Sequence, residues 1–182
     1  FPAGEYLCNS AITVGRGITL QGPTPPSAAI NVEQVKTTAF LIHNFSGNFI
    51  TFNGSDVPGT ITGSGGGLEK LAILNKNGAA NSANGTAVTV TGTSSTDRAT
   101  WVRIIDCEIA RYSSAHGEWT WGIDFDGSVV TAANGGVRDM FVSRVRIASD
   151  TGATGSIRIY GAYNVFLSDI ECNLTNGDIL IS

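Results

Sequence analysis

The sequence predicts an all-β fold, a parallel β-helix, in which short strands stack into a solenoid. Three observations carry this. First, one eight-residue block recurs at 102–109 (Val-Arg-Ile-Ile-Asp-Cys-Glu-Ile), 140–147 (Met-Phe-Val-Ser-Arg-Val-Arg-Ile) and 165–172 (Val-Phe-Leu-Ser-Asp-Ile-Glu-Cys), with a fainter copy at 66–73 (Gly-Gly-Leu-Glu-Lys-Leu-Ala-Ile). Second, another block keeps step with it: Val88–Gly92, Ile123–Gly127, Ile157–Gly161 and finally Ile179–Ile181. Third, charge sign alternates from copy to copy at two positions of the first block.

In each full copy positions 1, 3, 6 and 8 are apolar. Alternation sends successive side chains to opposite faces of a strand, so the block is two short strands with a phase slip of one residue between them. Such a slip lets the chain bend while both strands keep facing one interior. The four positions do not make a single helical stripe. A period of this length built from strands is the signature of a stacked solenoid, and the unequal spacing of the copies places loops of differing length at fixed corners. The charge pattern is an independent check on the register. Position 5 reads Lys70, Asp106, Arg144, Asp169; position 7 reads Ala72, Glu108, Arg146, Glu171. Neighbouring parallel strands lie about 4.8 Å apart, where opposite charges help and like charges hurt by a few tenths to about 1 kcal/mol.

Composition agrees. The 182 residues suffice for one domain with a sizeable core, and residues 1–182 read as a single β-helix unit. Glycine, at 23 residues, is enriched and clusters at the expected corners. A net charge of −4 gives no basic footprint, so nucleic acid is not a favoured partner. No run approaches the ~18 apolar residues of a spanning helix, so no membrane insertion is expected, and the opening Phe1-Pro2-Ala3-Gly4 shows no signal-peptide pattern. Cys8, Cys107 and Cys172 lack metal-site spacing and read as buried thiols, Cys107 and Cys172 on inward block positions in different columns. No metal site or cofactor is expected; His43 and His116 have no ligand partners at a recognised spacing.

Along the chain, Pro23, Pro25 and Pro26 mark 23–37 as a surface loop. Phe40-Leu41-Ile42 and Phe49-Ile50-Thr51-Phe52 read as strands of one coil or of two. Residues 59–67 and 75–85 are Gly/Asn/Ser/Thr-rich connections, and loops 91–101, 110–122, 128–136 and 148–156 separate the later blocks. Gly-Ser-Gly-Gly-Gly at 63–67 lacks the phosphate-loop pattern and precedes a strand, not a helix.

Phe1-Pro2-Ala3-Gly4-Glu5-Tyr6-Leu7 followed by Gly17-Ile18-Thr19-Leu20-Gln21-Gly22 resembles the opening of the pectate-lyase-like right-handed β-helices of bacteriophage tailspikes and polysaccharide depolymerases. The resemblance in motif covers residues 1–22 and implies a right-handed helix, with three strands per coil. It further implies a virion or extracellular protein, usually a homotrimer among other virion proteins, that engages bacterial surface glycan. Members carry a capping helix before the Phe-Pro run, so the chain is expected to be a segment of a longer protein, or capped by other chains, and to associate when isolated. The leading expectation is a tailspike or receptor-binding fibre. The alternatives are a structural virion part, such as a capsid-decorating or adaptor β-helix without catalysis, and a free polysaccharide-degrading enzyme, either a glycoside hydrolase or a polysaccharide lyase. Pectate lyases proper bind calcium through an aspartate cluster beside a catalytic arginine; no such outward column is visible, which argues against lyase chemistry.

Chemistry is densest in loop 110–122, which holds Arg111, Tyr112, His116, Glu118, Trp119 and Trp121. Aromatic faces stack on sugar rings and charged groups bond hydroxyls, so Arg111, Tyr112, Trp119 and Trp121, with Arg158 and Tyr160 of a neighbouring strand, are the candidate carbohydrate-binding residues. The simpler alternative is that the tryptophans cover a strand end or a subunit contact. Asp124, Asp126 and Glu118 are the catalytic candidates, because glycoside hydrolysis needs paired carboxyls, ~6.5–9.5 Å apart in inverting enzymes. Against that, Asp124 is expected to face Arg158 as an ion pair, and Arg144 to sit between Asp106 and Asp169.

Overall fold

The computed structural model describes residues 1–27, 37–53, 65–92, 99–128, 136–148, 152–173 and 179–182. Those residues form fifteen strands and no helix. They make a parallel β-solenoid with two hydrogen-bonded sheets. One stacks β2 (Ile12–Val14), β5 (Ile50–Asn53), β8 (Thr86–Thr91), β11 (Trp121–Asp126), β13 (Gly155–Tyr160) and β15 (Ile179–Ile181) in chain order. The other has β1 (Gly4–Cys8), β4 (Ala39–His43), β7 (Leu71–Asn75), β10 (Arg103–Arg111), β12 (Val137–Ala148) and β14 (Ala162–Asn173) as its spine, with β3 (Thr19–Gln21), β6 (Gly67–Glu69) and β9 (Ala99–Thr100) beside it. Every strand pairing is parallel. The all-β parallel β-helix class expected from the sequence is the fold of the protein.

The repeat register is the observed one. Ile104, Val142 and Leu167 align, as do Cys107, Val145 and Ile170. In the second block Ile12, Ile50, Val88, Ile123, Ile157 and Ile179 form one column. The phase slip has a backbone cause. Block position 5 adopts the left-handed conformation in every copy, with φ of 56° at Lys70, 55° at Asp106, 51° at Arg144 and 52° at Asp169. One such residue turns the chain and resets the alternation. β10 therefore pairs with β6 before its bend and with β7 after it, so each long strand supplies two of the three faces of a coil. A second left-handed position precedes the block, at Gly65, Trp101, Asp139 and Asn164.

The structure also reveals an interrupted copy of the block. Thr19, Leu20 and Gln21 pair with Gly67, Leu68 and Glu69, and Ala39 and Phe40 resume opposite Leu71 and Ala72. The proline-rich segment is thus an insertion at the position-5 corner; its residues 28–36 lie outside the described residues, as do 54–64, 93–98, 129–135, 149–151 and 174–178. β4 and β5 belong to one coil, each in its own sheet. Gly67 begins β6, and Gly66 just before it runs against neighbouring backbone: a Cβ on Gly66 would lie 2.2 Å from the Ile18 carbonyl oxygen. Close coil packing, not phosphate binding, accounts for those glycines.

The interior is continuous. Val102, Ile104, Cys107, Ile109, Met140, Val142, Val145 and Ile147 are buried in one cluster, as their shared register predicts. Val165, Leu167 and Ile170 face the same cluster but are only partly buried. Burial pushes the Cys107 thiol up to about 12; Cys8, Cys107 and Cys172 are all free thiols, but only Cys107 is buried, while Cys8 and Cys172, in the outermost strands of their sheet, are only partly buried.

Candidate functional site

The charge column becomes a groove. The position-5 and position-7 side chains of three successive coils line a cavity of about 350 Å³, walled on one side by Pro25, Pro26 and Ser27. Its floor carries Asp106, Glu108, Arg144, Arg146, Asp169 and Glu171. The walls come from the inserted loop because that loop leaves the coil at the same corner.

The expected ladder forms within it. Arg144 donates from Nε and Nη2 to both oxygens of Asp106, at 2.6 and 3.0 Å, as a two-pronged pair. Arg146 donates from Nη1 to Glu108 Oε1 at 2.5 Å and from Nε to Glu171 Oε1 at 3.3 Å. The bonds from Arg144 hold the Asp106 carboxyl below its ordinary range. Glu108 goes the other way: burial raises it, and the attraction of Arg146 only partly offsets this. Its second oxygen, Oε2, is buried with no hydrogen-bond partner among the described residues. The floor thus has guanidinium donors and carboxylate acceptors fixed in place, which is the equipment for holding hydroxyls.

The loop 110–122 site turns out differently. Trp119 is 1% exposed, sits in the core cluster and donates its Nε1–H to the Ala110 carbonyl at 3.0 Å. Its ring stacks on Phe49 (6.1 Å between centroids, 10° between planes) and approaches His43 at 4.9 Å. It fills a corner of the coil, so it has no face to offer a sugar. Glu118 is 0% exposed and pairs with Arg111 at 2.8 Å, so its carboxylate cannot serve as a groove acid. Below them Asn75 holds His43 Nδ1 at 3.1 Å and donates to the Glu118 carbonyl at 2.9 Å. Tyr112 packs against a small apolar cluster with the Lys76 ammonium 4.9 Å over its ring.

Trp121 is half-buried: the alternation breaks at Gly122, where a Cβ would lie 2.7 Å from Ile147 Cγ2, and the indole lies outward with the Arg158 guanidinium 5.8 Å from it. Asp124 does pair with Arg158, through bonds of 2.8 and 2.6 Å, but it is only 5% exposed, so the pair is more enclosed than a surface ion pair. Asp126 lies 3.9 Å from the same guanidinium. Tyr160, opposite Asp126 in register, is exposed. Of the residues expected to bind sugar, Trp121, Arg158 and Tyr160 share an outer face; Trp119 does not. The three catalytic candidates are all ion-paired, which leaves none of them as a free acid or base facing an open cleft.

Sequence reasoning overlooked a third tryptophan. Trp101 is 56% exposed and begins a stack with Phe141 (6.2 Å, 17°), which continues to Phe166 (5.0 Å, 9°). The signal was present: Trp101 occupies the position immediately before the block, where the other copies have Gly65, Asp139 and Asn164. Among the described residues no group of three or more His, Cys, Asp or Glu could hold a metal. Compared with protein-family models, with curated proteins and with solved structures, the chain has no match in any of the three.

Proposed function

We propose that the chain is part of a bacteriophage tailspike or receptor-binding fibre, a homotrimeric virion component that engages bacterial surface polysaccharide outside the cell. The observation that carries this reading is the groove on the outer face of the β-helix, a cavity across three coils lined by alternating carboxylate and guanidinium groups. Such a lining is pre-organised by its own ion pairs and can exchange hydrogen bonds with many hydroxyls, as a polymeric sugar requires. The opening motif resemblance points to the same class of protein. Binding without cleavage fits the groove best: Asp106 is bonded to Arg144, and the partnerless oxygen of Glu108 is buried.

The test is binding of the purified protein to immobilised bacterial O-polysaccharides and capsular polysaccharides, with released reducing ends measured in parallel and sedimentation reporting the oligomeric state. Retention on at least one polysaccharide, weakened by Arg144→Ala, is the expected result. A folded protein that binds none of them moves the reading to a structural virion β-helix; reducing ends released by the wild type would make it a depolymerase.

A further inference from the structure

We propose that glycan recognition extends from the groove onto the aromatic column of Trp101, Phe141 and Phe166, and that the combined surface selects an uncharged polysaccharide over a polyanionic one. This rests on the polysaccharide-binding reading above and adds to it the class of sugar and the residues that choose it.

The column is built rather than incidental. Trp101 is held at φ 61°, in a region costly for a bulky side chain, although its ring gains little from burial at 56% exposure. The matching positions of other coils carry Gly, Asp and Asn, the residue types that adopt this conformation readily. One face of the indole lies against Phe141. The backbone beside Trp101 is tied to the preceding coil of Gly65, Gly66 and Gly67 by the bond from the Gly65 N–H to the Thr100 carbonyl at 2.8 Å. That coil has no side chains at those positions.

Column and groove are joined. Ser168 donates its hydroxyl hydrogen to Ser143 Oγ at 2.9 Å, and Arg144 Nη1 reaches the same oxygen at 3.5 Å. Phe141 and Phe166 lie two residues before those serines on the same outer face. Passing around the coil, a ligand meets aromatic rings, then hydroxyls, then the ionic ladder. That order suits a sugar chain, whose apolar ring faces pack on aromatics and whose hydroxyls bond polar groups. Charge selects among sugars. Four carboxyl groups (Asp106, Glu108, Asp169, Glu171) outnumber the three cations of the ladder (Lys70, Arg144, Arg146), and both arginines are already engaged by carboxylates. A uronate or sialate polymer would meet net repulsion there; a neutral polymer would not.

The test compares neutral bacterial O-polysaccharides with acidic, uronate-containing capsular polysaccharides on the wild type, Trp101→Ala, Phe166→Ala and Trp101→Phe, with melting and sedimentation measured for each. Both truncated side chains are more than half exposed, so folding is expected to survive. The proposal expects binding to a neutral polysaccharide, weakened about tenfold by either alanine variant, as loss of one aromatic contact implies, and largely kept by Trp101→Phe. Binding confined to acidic polysaccharides overturns the charge selection and leaves the polysaccharide reading standing. Neutral binding unchanged in both alanine variants, or a changed oligomeric state in them, removes the column from recognition. A folded wild type that binds neither class overturns the polysaccharide reading itself.

Discussion

At the scale of single residues, the groove holds two carboxyl groups shifted in opposite directions. Asp106 is lowered by the hydrogen bonds from Arg144. Its contribution to stability is present above the ordinary carboxyl range and is lost as pH falls through the lowered value. Glu108 is raised by burial, so its contribution is full at acidic pH and is lost as pH rises through the raised value. Replacing Glu108 with Gln keeps an acceptor for Arg146 and removes the burial of a charge. The variant is expected to lose the stability decline between acidic and neutral pH that Glu108 causes, which denaturant titrations across that range would measure. His43, buried between Asn75 and Gly47, is lowered chiefly by burial. Its sign follows that of Asp106: stability is present above the ordinary imidazole value and falls as pH drops below it. In the core, Ile109→Ala is expected to cost about 2–5 kcal/mol, read from the shift in unfolding midpoint at constant slope.

At the scale of elements, the corner after β10 depends on a side chain far from any groove. Trp119 fills that corner against Phe49 and His43, and Trp119→Ala is expected to cost about 3–5 kcal/mol; a loss below 1 kcal/mol in chemical denaturation would show that the corner closes without it. The strands and their register were legible because alternation with a one-residue slip admits one alignment, and because Asp106, Arg144 and Asp169 had to alternate in sign along the stack. The copy running from Ile18 to Leu41 was not legible, since an insertion splits it at the bend and no local pattern spans the gap. Nor were the roles of the tryptophans. Composition shows aromatic density in loop 110–122, but whether a loop ring turns inward depends on the void it meets, and that void is made by Phe49 and His43 of an earlier coil.

At the scale of the whole molecule, two kinds of interaction run along the solenoid, and they differ in weight. The inner columns of Val, Ile, Leu and Phe carry the stability, as buried apolar area does. The outer ladder of Arg144 and Arg146 contributes alignment more than energy: the Arg144–Asp106 pair is largely exposed and screened, and the Arg146–Glu108 pair carries the cost of burying Glu108. Raising salt from 0.01 to 1 M is therefore expected to change unfolding free energy by less than about 1 kcal/mol, measured by urea titration at each salt concentration. A larger fall would transfer structural weight to the ladder.

The left-handed residue at each bend makes the coil a parity counter. Within a straight strand, inside and outside are told apart by odd and even; Arg144 advances that count by one. Were Arg144 to take the ordinary extended conformation, alternation would put Val145 and Ile147 outside and turn Arg146 into the apolar interior, though every residue is unchanged. The segment inserted after Gly22, by contrast, alters length without altering the count, since the chain re-enters at Ala39 in register with Leu71. Length is therefore free at these corners and phase is not, so sequence change can reshape the groove wall through long insertions while straightening one bend would scramble the coil.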